Sequence, residues 1–271
     1  MIVEKIKENV ENFKLGLQSY IPHPKELGAF TEWFPGRMKG DLTCITGGTS
    51  SAKTSLAKFL VFKAIEWAIK NKKNYKVLWF GLEESEEQFD YSLMSFLIYE
   101  KSQKKVRYNI EHFEGLGKIV QDQHLASISE LEKNEFAKYK SHVTFIENVS
   151  NSYGIYKGIR KLARERGTFK FKGQILDASQ LDDKDQQWDN YISNDPNELV
   201  EIVVDHLGEL HVQKDEHDLR DAMTNLVKKL RFYVAKSFKY SVLVIHQQML
   251  EMENLEHVKE NFVYASLQGL G

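Results

Sequence analysis

Short apolar segments alternate with longer stretches of helical periodicity along most of the chain after residue 30. Five of these segments predict strands: DLTCITGG, YKVLWFGLEES, HVTFIEN, LVEIVVDHLGEL and YSVLVIHQQ. The second is almost uninterrupted in apolar residues at its start, which is typical of strands buried on both faces of a parallel sheet. Strands separated by helices predict an α/β fold, with a mainly parallel sheet and helices on both of its faces.

The stretches between the strands carry apolar residues at three- and four-residue steps, which predicts amphipathic helices. The first runs from Lys53 to about Lys72, with an apolar side formed by Leu56, Leu60, Ala64, Trp67 and Ala68. Further helices are predicted from about Glu84 to Glu100, over YGIYKGIRKLARERG with its end at Gly167, and from Asp218 to about Phe238. In the polar region between these, Ser127 and Glu130 have the spacing of a capping box.

Two segments lie outside this alternation. Residues 1–29 open with an amphipathic helix, whose apolar positions are Ile2, Ile6, Val10, Phe13 and Leu17, and continue into a linker with two prolines. That helix can pack on its own domain or on a neighbouring subunit, and the sequence leaves both open. Residues 168–198 are polar and acidic, and we interpret them as an insertion with a small hairpin around FKFKGQILD. Residues 30–271, including this insertion, are predicted to be one α/β domain.

The loop after the first predicted strand has the pattern of a phosphate-binding P-loop, G-x-x-x-x-G-K-[ST]. Here it reads GGTSSAKT, so alanine stands where the second glycine is expected. A strand precedes the loop and a helix begins at the lysine, which places a helix N-terminus at the phosphate. The added methyl group matters only if the backbone needs a positive φ there or the phosphate touches that Cα. The predicted phosphate-binding residues are Gly47, Gly48, Thr49, Ser50, Ser51, Ala52, Lys53, Thr54 and Ser55.

Carboxylates follow two of the predicted strands. Asp205 comes directly after Ile202, Val203 and Val204, and with the Thr54 hydroxyl it is the predicted site for Mg²⁺. Glu83 and Glu84 end the second predicted strand, whose carboxyl end is expected beside the P-loop. Hydrolysis requires a group that orients the attacking water. We interpret Glu83 as this base and Glu84 as an acidic residue at the N-terminus of the following helix.

The last predicted strand ends in His246, Gln247 and Gln248, at the same sheet edge. A glutamine at this edge can hydrogen-bond the γ-phosphate of a nucleotide and report its loss. A single histidine here is more often a solvated residue at the end of a strand.

Composition and charge narrow the classes of function. The 271 residues include 42% hydrophobic and 28% charged residues, and the net charge is only −2. The chain therefore lacks the basic excess typical of nucleic-acid-binding proteins, although a local basic patch is compatible with a neutral total. One cysteine, Cys44, excludes an internal disulfide and favours a reducing compartment. The N-terminus has neither a signal peptide nor a membrane anchor, so we expect a soluble, cytoplasmic protein with no membrane partner.

Together these motifs resemble the RecA-like motor domain of DnaB-type replicative helicases, including the phage and Twinkle-like branch. WFPGRMKGDLTCITGGTSSAKTSLA resembles the family's P-loop and its approach, and VLWFGLEESEEQF the strand with the catalytic glutamate, which falls on Glu83. IVVDHLGEL resembles the metal-binding strand, with its aspartate at Asp205, and LVIHQQ the strand with the phosphate-sensing glutamine, at Gln247. ASLQGLG is similar to the start of the next motif.

The resemblance implies an ATP-driven, Mg²⁺-dependent motor that forms a hexameric ring around single-stranded DNA in replication. Its N-terminal helix would dock on the neighbouring subunit. Three features depart from the family pattern: Ala52, the insertion at 168–198, and the acidic segment MLEMENLEHVKENFVYA, where the family usually carries basic residues. The sequence also ends before the strand and arginine finger that the family supplies to a neighbouring subunit.

Two other functions fit the same residues. A regulatory ATPase resembling KaiC or RadA-like proteins would explain the paired glutamates and the acidic segment. A nucleotide-binding relative without turnover would explain Ala52.

Overall fold

The computed structural model describes residues 2–4, 7, 10–11, 20–116, 118–177 and 188–247. Its strands are β1 (Tyr20–Pro22), β2 (Gly36–Met38), β3 (Leu42–Gly47), β4 (Tyr75–Gly81), β5 (Val143–Ile146), β6 (Gly167–Phe171), β7 (Gln174–Ile175), β8 (Asn190–Ser193), β9 (Leu199–Asp205) and β10 (Ser241–Gln247). Its α-helices are α1 (Phe30–Trp33), α2 (Lys53–Lys70), α3 (Glu86–Lys101), α4 (Ile110–Glu114), α5 (Asp122–Leu131), α6 (Ala137–Lys140), α7 (Ser152–Arg166) and α8 (Leu219–Lys229).

The centre of the fold is a five-stranded sheet in the order β3-β10-β9-β4-β5, with every neighbouring pair parallel. These are the five strands that the sequence predicts, and the α/β fold with a parallel sheet is confirmed. Every residue of β9 is buried, because helices cover both faces of a parallel sheet.

Successive residues of the central strands enter two different cores, since side chains alternate across a strand. Trp79 packs with Phe89 on the face covered by α2 and α3. Phe80 packs on the opposite face, with residues of α7 and α8. The predicted inner side of α2 is largely correct, but Leu56 is exposed, because the helix turns Ala57 and Val61 toward the sheet instead.

A second, three-stranded antiparallel sheet lies within the predicted insertion, in the order β7-β6-β8. The hairpin between β6 and β7 turns at Lys172 and Gly173, whose φ values of 49° and 82° are both positive, as in two-residue type I′ turns. Aromatic rings attach this sheet to the rest of the fold, because Trp188 stacks on Phe238 with ring centroids 5.2 Å apart. Residues 178–187 lie outside the described part of the chain.

Two helix predictions need correction. The capping box at Ser127 and Glu130 is wrong, because α5 begins at Asp122 and both residues lie in its interior. The helix expected from Asp218 to about Phe238 is α-helical only over Leu219–Lys229, with the Asp218 side chain as its N-cap, and continues as a π-helix over Leu230–Ala235.

The segment before the P-loop strand is anchored under the central sheet by a buried ion pair. Arg37 of β2 contacts both carboxylate oxygens of Glu201 in β9, and neither side chain is exposed. The Tyr75 hydroxyl of β4 donates a further hydrogen bond to Glu201. Arg37 therefore ties the β1–β2 pair to the middle of the sheet.

Of the predicted N-terminal helix, residues 2–4, 7, 10 and 11 are described, and all six are helical. Ile2, Val3 and Val10 are exposed, while Ile6, Phe13 and Leu17 lie outside the described residues. Among the described residues, no helix is both long and apolar enough to cross a membrane.

Candidate active site

The candidate site lies where the carboxyl ends of the central strands meet. The pairing register places Gln247 of β10 beside Gly47 of β3, and Asp205 of β9 beside Gly81 of β4. In open α/β sheets, ligands bind in the crevice at this edge. The fold thus brings together the ends of four strands that are far apart in the sequence.

The predicted P-loop joins β3 to α2 and is closed on itself. The Lys53 ammonium is buried and donates to the carbonyl oxygen of Gly48 at 2.6 Å. Gly47 allows the close approach of the loop, because a Cβ at this position would lie only 2.6 Å from Ser51 Oγ. The lysine therefore lies inside the curve of the loop, at the N-terminal end of α2.

Ala52 occupies the left-handed region, with φ 58° and ψ 27°. This is the condition under which the sequence predicts that its methyl group matters. An L-residue in this region costs roughly 1–2 kcal/mol relative to the right-handed region, and glycine avoids that cost. The loop therefore keeps the backbone shape that a glycine would adopt easily, with local strain at Ala52.

Thr54 and Asp205 form the contact that joins the P-loop helix to the central sheet. The Thr54 hydroxyl donates to Asp205 Oδ1 at 3.0 Å. Asp205 is 1% exposed, and its other oxygen, Oδ2, has no hydrogen-bond partner among the described residues. Burial first, and then the nearby charge of Glu84, raise the pKa of Asp205 to about 7.

This pair has the donor chemistry that Mg²⁺ requires in a nucleotide site. Mg²⁺ prefers oxygen ligands and is usually held by one or two protein groups together with phosphate and water. Within the described ranges, no three His, Cys, Asp or Glu side chains are arranged to hold a metal by themselves. The hydroxyl of Thr54 and the unpaired Oδ2 of Asp205 fit an ion that takes most of its ligands from a nucleotide and water.

Glu83 and Glu84 have very different surroundings. The Glu83 side chain is 61% exposed, and its Oε2 lies 3.3 Å from His206 Nε2. Glu84 is largely buried in an ion pair with Lys58 of α2, which also donates to Ser92 of α3. Burial raises the pKa of Glu84, whereas Lys58 lowers it.

The interpretation of Glu84 as a helix N-terminal charge is wrong. Helix α3 begins at Glu86 with Ser85 as its N-cap, so Glu86 and Glu87 are the acidic residues of its first turn. Glu84 precedes the cap and turns inward to Lys58, because a buried lysine needs an opposite charge.

Gln247 reaches the P-loop directly. Its side-chain amide donates to Thr49 Oγ1 at 2.8 Å. His246, in contrast to a solvated strand-end residue, is only 6% exposed. Gln248 and the acidic segment that follows it lie outside the described residues.

Two residues near the site were not identified from the sequence. Lys58 lies one turn after Thr54 on α2, and its position in an otherwise apolar helix face is the signal that it needs a buried partner. His206 follows Asp205 at the end of β9, where polar residues enter the sheet-edge crevice.

No protein-family model matches the sequence, and no curated protein matches it. Two solved structures nevertheless share its fold. "The Structure Of A DnaB-Like Replicative Helicase And Its Interactions With Primase" aligns with 99% of this chain at a TM-score of 0.60 and 14% identity. "ATPase Domain of G40P" aligns with 99% of it at a TM-score of 0.62 and 12% identity.

The chain has a RecA-like fold, which it shares with these two structures. It spans 52% of the first of these structures and 77% of the second. At sequence identities of 12–14% the likeness shows a shared fold. Function depends on the side chains at the site, since one fold can carry many functions.

Proposed function

We propose that this chain is the ATPase motor of a DnaB-like helicase, which hydrolyses ATP with Mg²⁺ to move along single-stranded DNA. The observation that carries the proposal is the Thr54–Asp205 hydrogen bond of 3.0 Å, beside a loop that encloses Lys53. A chance run of small residues before a lysine has no reason to meet a buried aspartate from a distant strand.

Each residue then has a defined role. Backbone N–H groups of the loop and the Lys53 ammonium bind the phosphates. Thr54 and Asp205 would hold Mg²⁺, and the ion would neutralise negative charge on the phosphate oxygens. Glu83 accepts the proton of the attacking water. Gln247, hydrogen-bonded to Thr49 of the loop, couples the state of the phosphates to the segment that follows β10.

The proposed assembly is a hexameric ring with single-stranded DNA in its centre. The N-terminal helix of each subunit docks on its neighbour, and exposed Ile2, Val3 and Val10 are apolar residues suited to such a contact. An arginine of the neighbouring subunit completes the site. The fold shared with the DnaB-like replicative helicase structure supports this proposal, and the net charge of −2 does not favour it.

A regulatory ATPase that does not unwind DNA is the second candidate. It is favoured by the adjacent glutamates Glu83 and Glu84, because paired glutamates at this position resemble those of KaiC or RadA-like proteins. Both lie at the site: Glu84 forms an ion pair with Lys58, and its charge contributes to the raised pKa of Asp205.

Steady-state ATP hydrolysis with and without single-stranded DNA distinguishes the two candidates. We expect DNA to stimulate turnover of the chain, with Lys53→Ala as the blank. An ATP hydrolysis rate that is the same with and without single-stranded DNA would contradict the motor and favour the regulatory ATPase. Binding of ATP without any turnover would contradict both and favour a nucleotide-binding relative.

A further inference from the structure

An imidazole lies between two carboxylates at the edge of the candidate site. His206 Nε2 is 3.3 Å from Glu83 Oε2 and 3.8 Å from Glu209 Oε1. The His206 side chain is 8% exposed, whereas those of Glu83 and Glu209 are 61% and 53% exposed. A buried ring therefore faces two exposed carboxylates, and one of them is the proposed base.

The backbone fixes the orientation of this ring. The Gly208 N–H donates to His206 Nδ1 at 3.1 Å, so Nδ1 acts as the acceptor and His206 caps the 3₁₀ turn Leu207–Glu209. Since one ring nitrogen accepts, the ring hydrogen is on Nε2, the nitrogen nearer to Glu83. A Cβ at Gly208 would lie 2.9 Å from two ring atoms, so the position also depends on a glycine there.

The chain segment that carries Glu83 is fixed to the same place. Leu82 N–H donates to the Asp205 carbonyl at 2.7 Å, which extends the pairing of β4 and β9 beyond Gly81. The residues that directly follow Leu82 and Asp205 are Glu83 and His206. The end of β9 thus supplies the buried carboxylate Asp205 and, one residue later, the ring beside Glu83.

We propose that His206 is a positioning residue for Glu83. Its Nε2–H restrains one carboxylate oxygen and leaves the other to accept a proton from water. The 3.3 Å separation is an ion-pair distance in this structure. Hydrogen bonds of catalytic groups are commonly long before substrate binds and tighten in the complex, and we expect this of the His206–Glu83 contact. This inference rests on the proposed function, because positioning matters only if Glu83 acts on water.

The test compares Mg²⁺–ATP turnover and equilibrium ATP binding in the full chain. His206→Ala should lower kcat by about 10- to 100-fold, the usual loss when a catalytic group is misplaced by about 1 Å, with KM and ATP affinity nearly unchanged. His206→Gln keeps an N–H donor and should retain more activity than His206→Phe, which fills the space without one. His211→Ala is the matched control, because His211 is in the same loop and bonds to Ser150 instead.

The double variant separates a positioning role from a purely structural one. If His206 acts through Glu83, His206→Ala causes no further loss of kcat in a Glu83→Gln background, whereas a purely structural role predicts a further loss. Equal activity of the Gln and Phe variants, or wild-type kcat in His206→Ala, would overturn the inference and leave the proposed function intact, provided that Glu83→Gln is inactive. Wild-type turnover in Glu83→Gln would instead overturn the proposed role of Glu83.

Discussion

The hydroxyl of Thr54 donates a hydrogen bond of 3.0 Å to the carboxylate of Asp205, 151 positions later in the chain. Thr54 is in the first turn of α2 and Asp205 is the last residue of β9. Only the parallel order of the central sheet brings these two positions together, and it does so at the edge where ligands bind.

Asp205→Asn is expected to stabilise the Mg²⁺-free protein while it abolishes turnover. The pKa of this buried carboxyl is raised to about 7, so the stability it contributes is present below its unfolded pKa and is lost as pH rises through about 7. The variant should therefore be more stable than wild type by about 1–3 kcal/mol near pH 8, and by less near pH 5. Urea unfolding at both pH values measures this, and a less stable variant near pH 8 would contradict the burial argument.

Glu83→Gln should bind ATP normally and lose hydrolysis by about 10²- to 10⁴-fold, the usual contribution of a positioned general base. Glu84→Gln is the matched comparison, because it weakens the ion pair with Lys58 and should lower stability more than turnover. ATP binding and single-turnover hydrolysis separate the two effects. The assignment of the base would be reversed if only Glu84→Gln stopped hydrolysis.

Ala52→Gly should raise the free energy of unfolding by up to about 1 kcal/mol, because glycine removes the cost of a left-handed L-residue but adds freedom to the unfolded chain. Ala57→Gly, at a buried position inside helix α2, should instead destabilise by roughly 1 kcal/mol. Thermal unfolding of both variants gives the comparison. Equal destabilisation by the two glycines would show that the loop is not left-handed at Ala52.

The sequence carried enough information for the central sheet, because its strands are apolar runs that end in polar residues. The sequence could not show that the Glu84 side chain is buried, since this depends on an ion pair with Lys58 of α2. The sequence also did not identify Glu201 as the partner of Arg37. A glutamate inside the apolar run LVEIVVD nevertheless indicates a buried charge, and such a charge requires an opposite one nearby. Local spacing also misplaced the capping box at Ser127, because the helix begins one and a half turns earlier, at Asp122.

The buried cluster of Arg37, Glu201 and Tyr75 gives a prediction about stability alone. Arg37→Met leaves Glu201 buried without its partner and should cost about 3–5 kcal/mol. The triple variant Arg37→Met/Glu201→Leu/Tyr75→Phe removes every charge and should recover most of that loss. Denaturant unfolding tests this, and a triple variant no more stable than the single one would contradict it.

The central claim is that ATP is hydrolysed at the loop that encloses Lys53. The most direct measurement is steady-state phosphate release with Mg²⁺–ATP by the wild-type chain, by Lys53→Ala and by Lys70→Ala, which removes an exposed lysine at the other end of α2. We predict that Lys53→Ala falls to the background rate and that Lys70→Ala keeps the wild-type rate. Wild-type turnover in Lys53→Ala would contradict the assignment of the site.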